Sequence, residues 1–76
     1  MFSLTEIADC VRDLLPKSVV YEVPSLDCLN VELPTFTLYN QGHSITTYHG
    51  QLLGTNIPLR FESLFDLQDW IVTTFC

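Results

Sequence analysis

Apolar residues recur along the chain with two different periods, and the switch between them divides it into elements. Leu4, Ile7, Ala8, Val11, Leu14 and Leu15 stand three and four apart, which gathers them into one stripe of an α-helix. Ser3 followed by Glu6 makes a capping box, in which the hydroxyl accepts from an orphan amide and the carboxylate answers the cap's own N–H. Pro16 cannot continue the helix. The spacing predicts a first helix over residues 4–15, with Thr5, Glu6, Asp9, Arg12 and Asp13 on its wet side.

From Ser18 the period falls to two. Val19, Tyr21 and Val23 alternate with Ser18, Val20 and Glu22, and Pro24, Ser25 and Asp27 then supply turn chemistry. Cys28 to Leu33 alternates again, with Leu29, Val31 and Leu33 on one side and Cys28, Asn30 and Glu32 on the other. Pro34, which has no amide to donate, ends the pairing. Thr35 to Tyr39 sets Phe36 and Leu38 opposite Thr35, Thr37 and Tyr39. Asn40, Gln41 and Gly42 then turn the chain into a strand over residues 44–49, which completes a hairpin. Gly50 and Gly54 bracket Leu52 and Leu53, a stretch compatible with either half a strand or a bulge. Ile57, Leu59 and Phe61 alternate with Pro58 and Arg60 in a short strand that Pro58 assigns to a sheet edge. Ser63 caps a second helix over residues 64–75. Its core stripe of Leu64, Leu67, Ile71 and Phe75 spans about 80° of arc, while Asp66, Asp69 and Thr73 face away.

The order helix, strands, helix predicts an α+β two-layer domain: an antiparallel β-meander sheet of four or five strands, with the N-terminal and C-terminal helices packed on one of its faces. Residues 1–76 are long enough for one such domain and one core. Apolar residues make up 47% and charged residues 16%, well below the roughly 25% charge usual in globular chains, so the chain folds rather than remaining an acidic tail. The three cysteines, Cys10, Cys28 and Cys76, are odd in number and irregularly spaced. They read as free thiols of a reducing compartment. Residues 1–15 carry Glu6, Asp9, Arg12 and Asp13 at helical spacing, unlike a secretory leader, and no apolar run approaches the length of a membrane span. The expectation is a soluble, cytoplasmic protein.

Charge narrows the functions available. Nine Asp or Glu stand against three Lys or Arg, a formal net charge of -6, and Arg12, Lys17 and Arg60 are too few and too scattered to neutralise phosphates. Direct nucleic-acid binding is not expected. No pair among Cys10, Cys28, Cys76, His43 and His49 has the spacing of zinc ligands, and His43 and His49 fall about 20 Å apart on a straight strand. No cysteine sits in a turn that would activate a thiolate, and Gly42, Gly50 and Gly54 do not precede a helix as a phosphate loop requires. No catalytic residue, metal ligand or cofactor is therefore assigned.

What remains is surface. Glu6, Asp9 and Asp13 share one side of the first helix, and Asp66 and Asp69 share one side of the second. With so few cations interspersed, these carboxylates make a field that draws a partner with a basic groove. The second helix also carries Phe65, Trp70 and Val72 on the flanks of its core stripe, an apolar arc wider than one sheet face covers. The hairpin's outer face shows Thr35, Thr37, Tyr39, Ser44, Thr46 and Tyr48, a mix of rigid aromatic area and adaptable hydroxyls suited to protein contact. Glu6, Asp9, Asp13, Asp66, Asp69, Tyr39, Tyr48 and Trp70 are accordingly the candidate partner-binding residues.

The run Phe61, Glu62, Ser63, Leu64, Phe65, Asp66, Leu67, Gln68, Asp69, Trp70 resembles a strand-to-helix ending of small phage proteins that include anti-CRISPR proteins. The resemblance implies a phage-encoded inhibitor, acting in the bacterial host cytoplasm, that occupies a nucleic-acid-binding surface of a defence complex with its carboxylates standing in for phosphates. The alternative is a structural or assembly protein of a phage or bacterium, in which the surplus apolar surface and an open strand edge make a homodimer.

Overall fold

The computed structural model describes residues 1–48 and 58–76. Helix α1 spans Leu4–Leu14, strands β1 Val19–Val23, β2 Cys28–Glu32, β3 Phe36–Asn40, β4 Ile45–Thr47 and β5 Leu59–Phe61 follow, and helix α2 spans Leu64–Phe75. The strands form one antiparallel sheet in the order β1-β2-β3-β4-β5, so each strand pairs with its sequence neighbour. The register sorts side chains by their period of two. Val31 lies across from Val20 and Phe36, and Leu29 from Leu38, on the face that joins Ile45 and Phe61 in the core. Tyr21, Asn30 and Thr37 form one row of the opposite face, and Val23, Cys28, Tyr39, Thr46 and Arg60 form another.

Both helices cover the apolar face. Ile7, Ala8 and Val11 of α1 and Leu67 and Ile71 of α2 are fully buried against it, with α1 over β1 and β2 and α2 over β5. This is the two-layer α+β arrangement that the change of period predicts. The capping box at α1 closes in both directions: Ser3 Oγ accepts the Glu6 N–H at 3.2 Å, and the Ser3 N–H donates to Glu6 Oε1 at 3.2 Å. At α2, Ser63 Oγ accepts the Asp66 N–H at 3.1 Å.

A polar knot sets the direction of α1. The Phe2 N–H donates to the Gly42 carbonyl at 2.8 Å, while Asn40 Nδ2 donates to the Phe2 carbonyl at 3.0 Å and to Asp27 Oδ1 at 3.3 Å. The Gly42 N–H returns to Asn40 Oδ1 at 3.0 Å, and Gly42 itself holds φ 88°, a conformation glycine adopts without Cβ strain. Helix α2 follows directly on β5, whose Phe61 lies across from Ile45, close to the same turn. The two helices therefore start at one end of the sheet and run side by side in the same direction.

Several details differ from the sequence reading, among them the strand expected over 44–49, of which only Ile45–Thr47 is strand among the described residues. Leu33 does not share the buried side with Leu29 and Val31. It lies past the end of β2 with φ 59°, which takes it out of the alternation and leaves it 79% exposed. Asn40 belongs to β3 rather than to the hairpin loop. Ser44 and Thr46 are buried although Thr46 points to the outer face; Thr46, opposite Tyr39, is satisfied by donating its hydroxyl to Gln41 Oε1 at 2.9 Å. Helix α1 stops at Leu14, with Leu15 as its cap. His49, Leu52, Leu53 and Ile57 lie outside the described residues. Among the described residues, no helix is long and apolar enough to cross a membrane.

Candidate protein-binding surface

At 100° per residue, Glu6, Asp9 and Asp13 fall within about 60° of arc on α1, and Asp66, Asp69 and Thr73 do the same on α2. All six are exposed, on the side of each helix away from the sheet. Between these two ridges runs the seam where the helices meet. Cys10 and Leu14 present one wall, and Phe65, Gln68, Asp69 and Val72, at helical spacings of three and four, present the other. The seam opens into a groove of about 230 Å³ lined by Leu14, Phe65, Gln68, Asp69 and Val72. Phe65 is 76% exposed and Val72 46% exposed, so this apolar wall faces water.

The carboxylates are not equivalent. Glu6 and Asp66 occupy first turns, where the unpaired amides of the helix N-terminus favour negative charge, and Glu6 is further held by the Ser3 N–H. Asp9 lies 3.6 Å from Arg12, whose other guanidinium nitrogen lies 3.7 Å from Glu22 on β1. The Asp13 and Asp69 carboxylates make no ion pair or hydrogen bond among the described residues. Of the three Lys and Arg residues, Arg12 bridges Asp9 and Glu22, Arg60 lies 3.8 Å from Glu62, and Lys17 lines a hollow with Leu14, Pro34 and Phe75 beyond the end of α1. Asp13 and Asp69 consequently present carboxylate with no ion-pair partner among the described residues. Burial pushes the Cys10 thiol in its wall above its ordinary value; the Gln68 side chain opposes the shift and the Asp13 carboxylate adds to it.

The remaining candidate residues lie apart from this seam. Tyr39 and Tyr48 meet edge to face, with ring centroids 5.8 Å apart, on the outer face of the sheet. With Phe36 and Thr37 they line a shallow hollow of about 210 Å³. Trp70 is half-buried and turned inward: its ring packs at 5.4 Å on Phe36, 5.4 Å on Phe61 and 5.3 Å on Phe75. The structure thus gathers the five helix carboxylates into one layer, sets the tyrosine pair on the opposite side of the sheet, and uses Trp70 between the layers.

Sequence reasoning notes Phe65 and Val72 as surplus apolar area but leaves them out of the candidate residues, assigns Leu14 to the apolar stripe of the first helix, and gives Gln68 no role. The available signal is the row Phe65, Gln68, Asp69, Val72, which is the flank of α2 nearest α1. Among the described residues, no group of three or more His, Cys, Asp or Glu could hold a metal ion. No protein family, no curated protein and no solved structure was found to match the chain.

Proposed function

We propose that the protein is a non-catalytic, acidic protein-binding module that docks its helix layer on a basic groove of a larger partner, as an inhibitor occupying a nucleic-acid-binding surface does. One observation carries this reading: Glu6, Asp9, Asp13, Asp66 and Asp69 all lie exposed on the outer sides of two parallel, adjoining helices, and of these five only Asp9 has an ion-pair partner, Arg12, among the described residues. Such an arrangement speeds encounter with a cationic partner and fixes the side from which it approaches. The resemblance of residues 61–70 to phage anti-defence proteins supports a bacterial defence complex of the CRISPR type as the class of partner.

The test is capture from bacterial lysate, followed by identification of the partner and competition with single-stranded nucleic acid. The expected partner is a nucleic-acid-binding protein released by that competitor. Charge reversal at Asp66 and Asp69 to Lys should abolish its capture while leaving the helical circular dichroism signal unchanged. Undiminished capture by the doubly reversed variant would remove the helix layer from the interaction.

A further inference from the structure

We infer that the seam between α1 and α2 seats a cationic amphipathic helix supplied by the partner. Resting on the binding-module reading above, this adds the shape of the ligand to its charge. Acidic ridges alone attract any polycation. What distinguishes this surface is the apolar wall between them, where Phe65 and Val72 stand two helical turns apart and face solvent beside Leu14. Two parallel helices present side-chain ridges with a groove between, and the ligand that fills such a groove along its length is a third helix.

Charge chooses the kind of helix. Asp69 lines the groove itself, and the Asp13 and Asp69 carboxylates make no ion pair or hydrogen bond among the described residues. A ligand helix with an apolar stripe flanked by Lys or Arg would cover Phe65 and Val72 and satisfy the carboxylates on both sides. A second copy of this chain is the poorer occupant, because at a net charge of -6 it would bring the same carboxylates face to face.

The experiment uses the full chain and two synthetic peptides of about 18 residues, long enough to outreach α2 at 1.5 Å per residue. Both contain the same numbers of Leu and Lys. One places Leu at i, i+4, i+7 and i+11; the other scatters Leu around the helix. The amphipathic peptide should bind at least about tenfold more tightly than the scattered one. It should shift the backbone resonances of Leu14, Gln68, Asp69 and Val72, and lose that advantage in Phe65→Ser and in Val72→Ser. Both residues are exposed, so these variants should fold. Equal binding of both peptides, weakened by Asp13→Lys and Asp69→Lys but not by Phe65→Ser, would overturn the helix seat and leave the acidic reading standing. Failure of both peptides to bind at low salt would overturn both. A dimer seen by light scattering that Phe65→Ser dissociates would make a second copy the occupant and overturn the inference. So would resonance shifts centred on Tyr39 and Tyr48.

Discussion

The two helices are nearly equal in length and each has a serine N-cap, yet they differ in how much apolar surface they leave uncovered. In α1, Ile7, Ala8, Cys10 and Val11 are buried, Leu4 and Leu14 are half-buried, and no large apolar residue is exposed. In α2, Leu67 and Ile71 are buried and Leu64, Trp70 and Phe75 are half-buried, but Phe65 and Val72 remain in water. An apolar arc about as wide as the sheet face it meets is a packing element. An arc that continues past that face onto the neighbouring helix provides a surface beyond what the core requires. The difference lies in arc width, and it separates the part of α2 that holds the fold from the part offered for recognition.

The strongest way to break this distinction is to truncate one residue of each kind. Ile7→Ala in α1 and Ile71→Ala in α2 each remove a fully buried side chain, and each should lower unfolding stability by about 2–5 kcal/mol, the transfer loss plus the cavity left behind. Phe65→Ser, at an exposed site, should change it by no more than about 0.5 kcal/mol. Urea denaturation of the three variants decides the matter. A loss at Phe65 comparable to that at Ile71 would make the seam part of the core.

A smaller effect should separate the two helices by the way they are attached. Helix α2 continues covalently from β5, whereas the start of α1 is held to the sheet by Asn40, which bonds to Phe2, Asp27 and Gly42. Asn40→Ala leaves these groups without their partner and should cost about 1–3 kcal/mol. Amide hydrogen exchange should then accelerate in the first turn of α1 more than in that of α2. Equal acceleration in both would mean that the knot stabilises the whole sheet rather than one helix.

The same comparison explains what the chain discloses before it folds. Period and cap residues are local quantities, so Ser3, Glu6 and Pro16 mark α1, Ser63 marks α2, and the alternation through Leu29, Val31, Phe36 and Leu38 marks strands whose meander order follows from short turns. Leu33 escapes because its positive φ is set by the turn it occupies, and alternation counts residues without knowing the backbone. Thr46 escapes because alternation places it on the outer face and says nothing of burial there; it is buried, with its hydroxyl donating to Gln41 Oε1. The carboxylate ridges are legible for the same local reason as the helices. The groove is not, since Leu14 comes to line it with Phe65 and Val72 only once two segments distant in sequence adjoin. Trp70 shows the converse error of emphasis: a residue type rich in recognition surfaces is here the centre of an aromatic cluster with Phe36, Phe61 and Phe75.

The smallest expected effect comes from the wall the helices share. Burial raises the Cys10 thiol above its ordinary value, whereas in the unfolded chain the same thiol ionises near that ordinary value, about 8.5. Well below the unfolded value both states hold the proton, and the stabilising contribution is fully present. As pH rises through the unfolded value toward the folded one, the unfolded chain releases its proton first, so stability falls with pH in that window. Cys10→Ala removes this term, and its urea midpoint should decline less between pH 8 and pH 10 than that of the parent chain, where other tyrosine, lysine and cysteine groups contribute equally to both. Parallel declines would mean that the seam admits water at Cys10, and the wall between the helices would then be looser than its burial at 7% exposure implies. A thiol reagent at neutral pH gives the companion measurement: the exposed Cys76 should be modified fast, and Cys10 and Cys28 only as quickly as the fold opens.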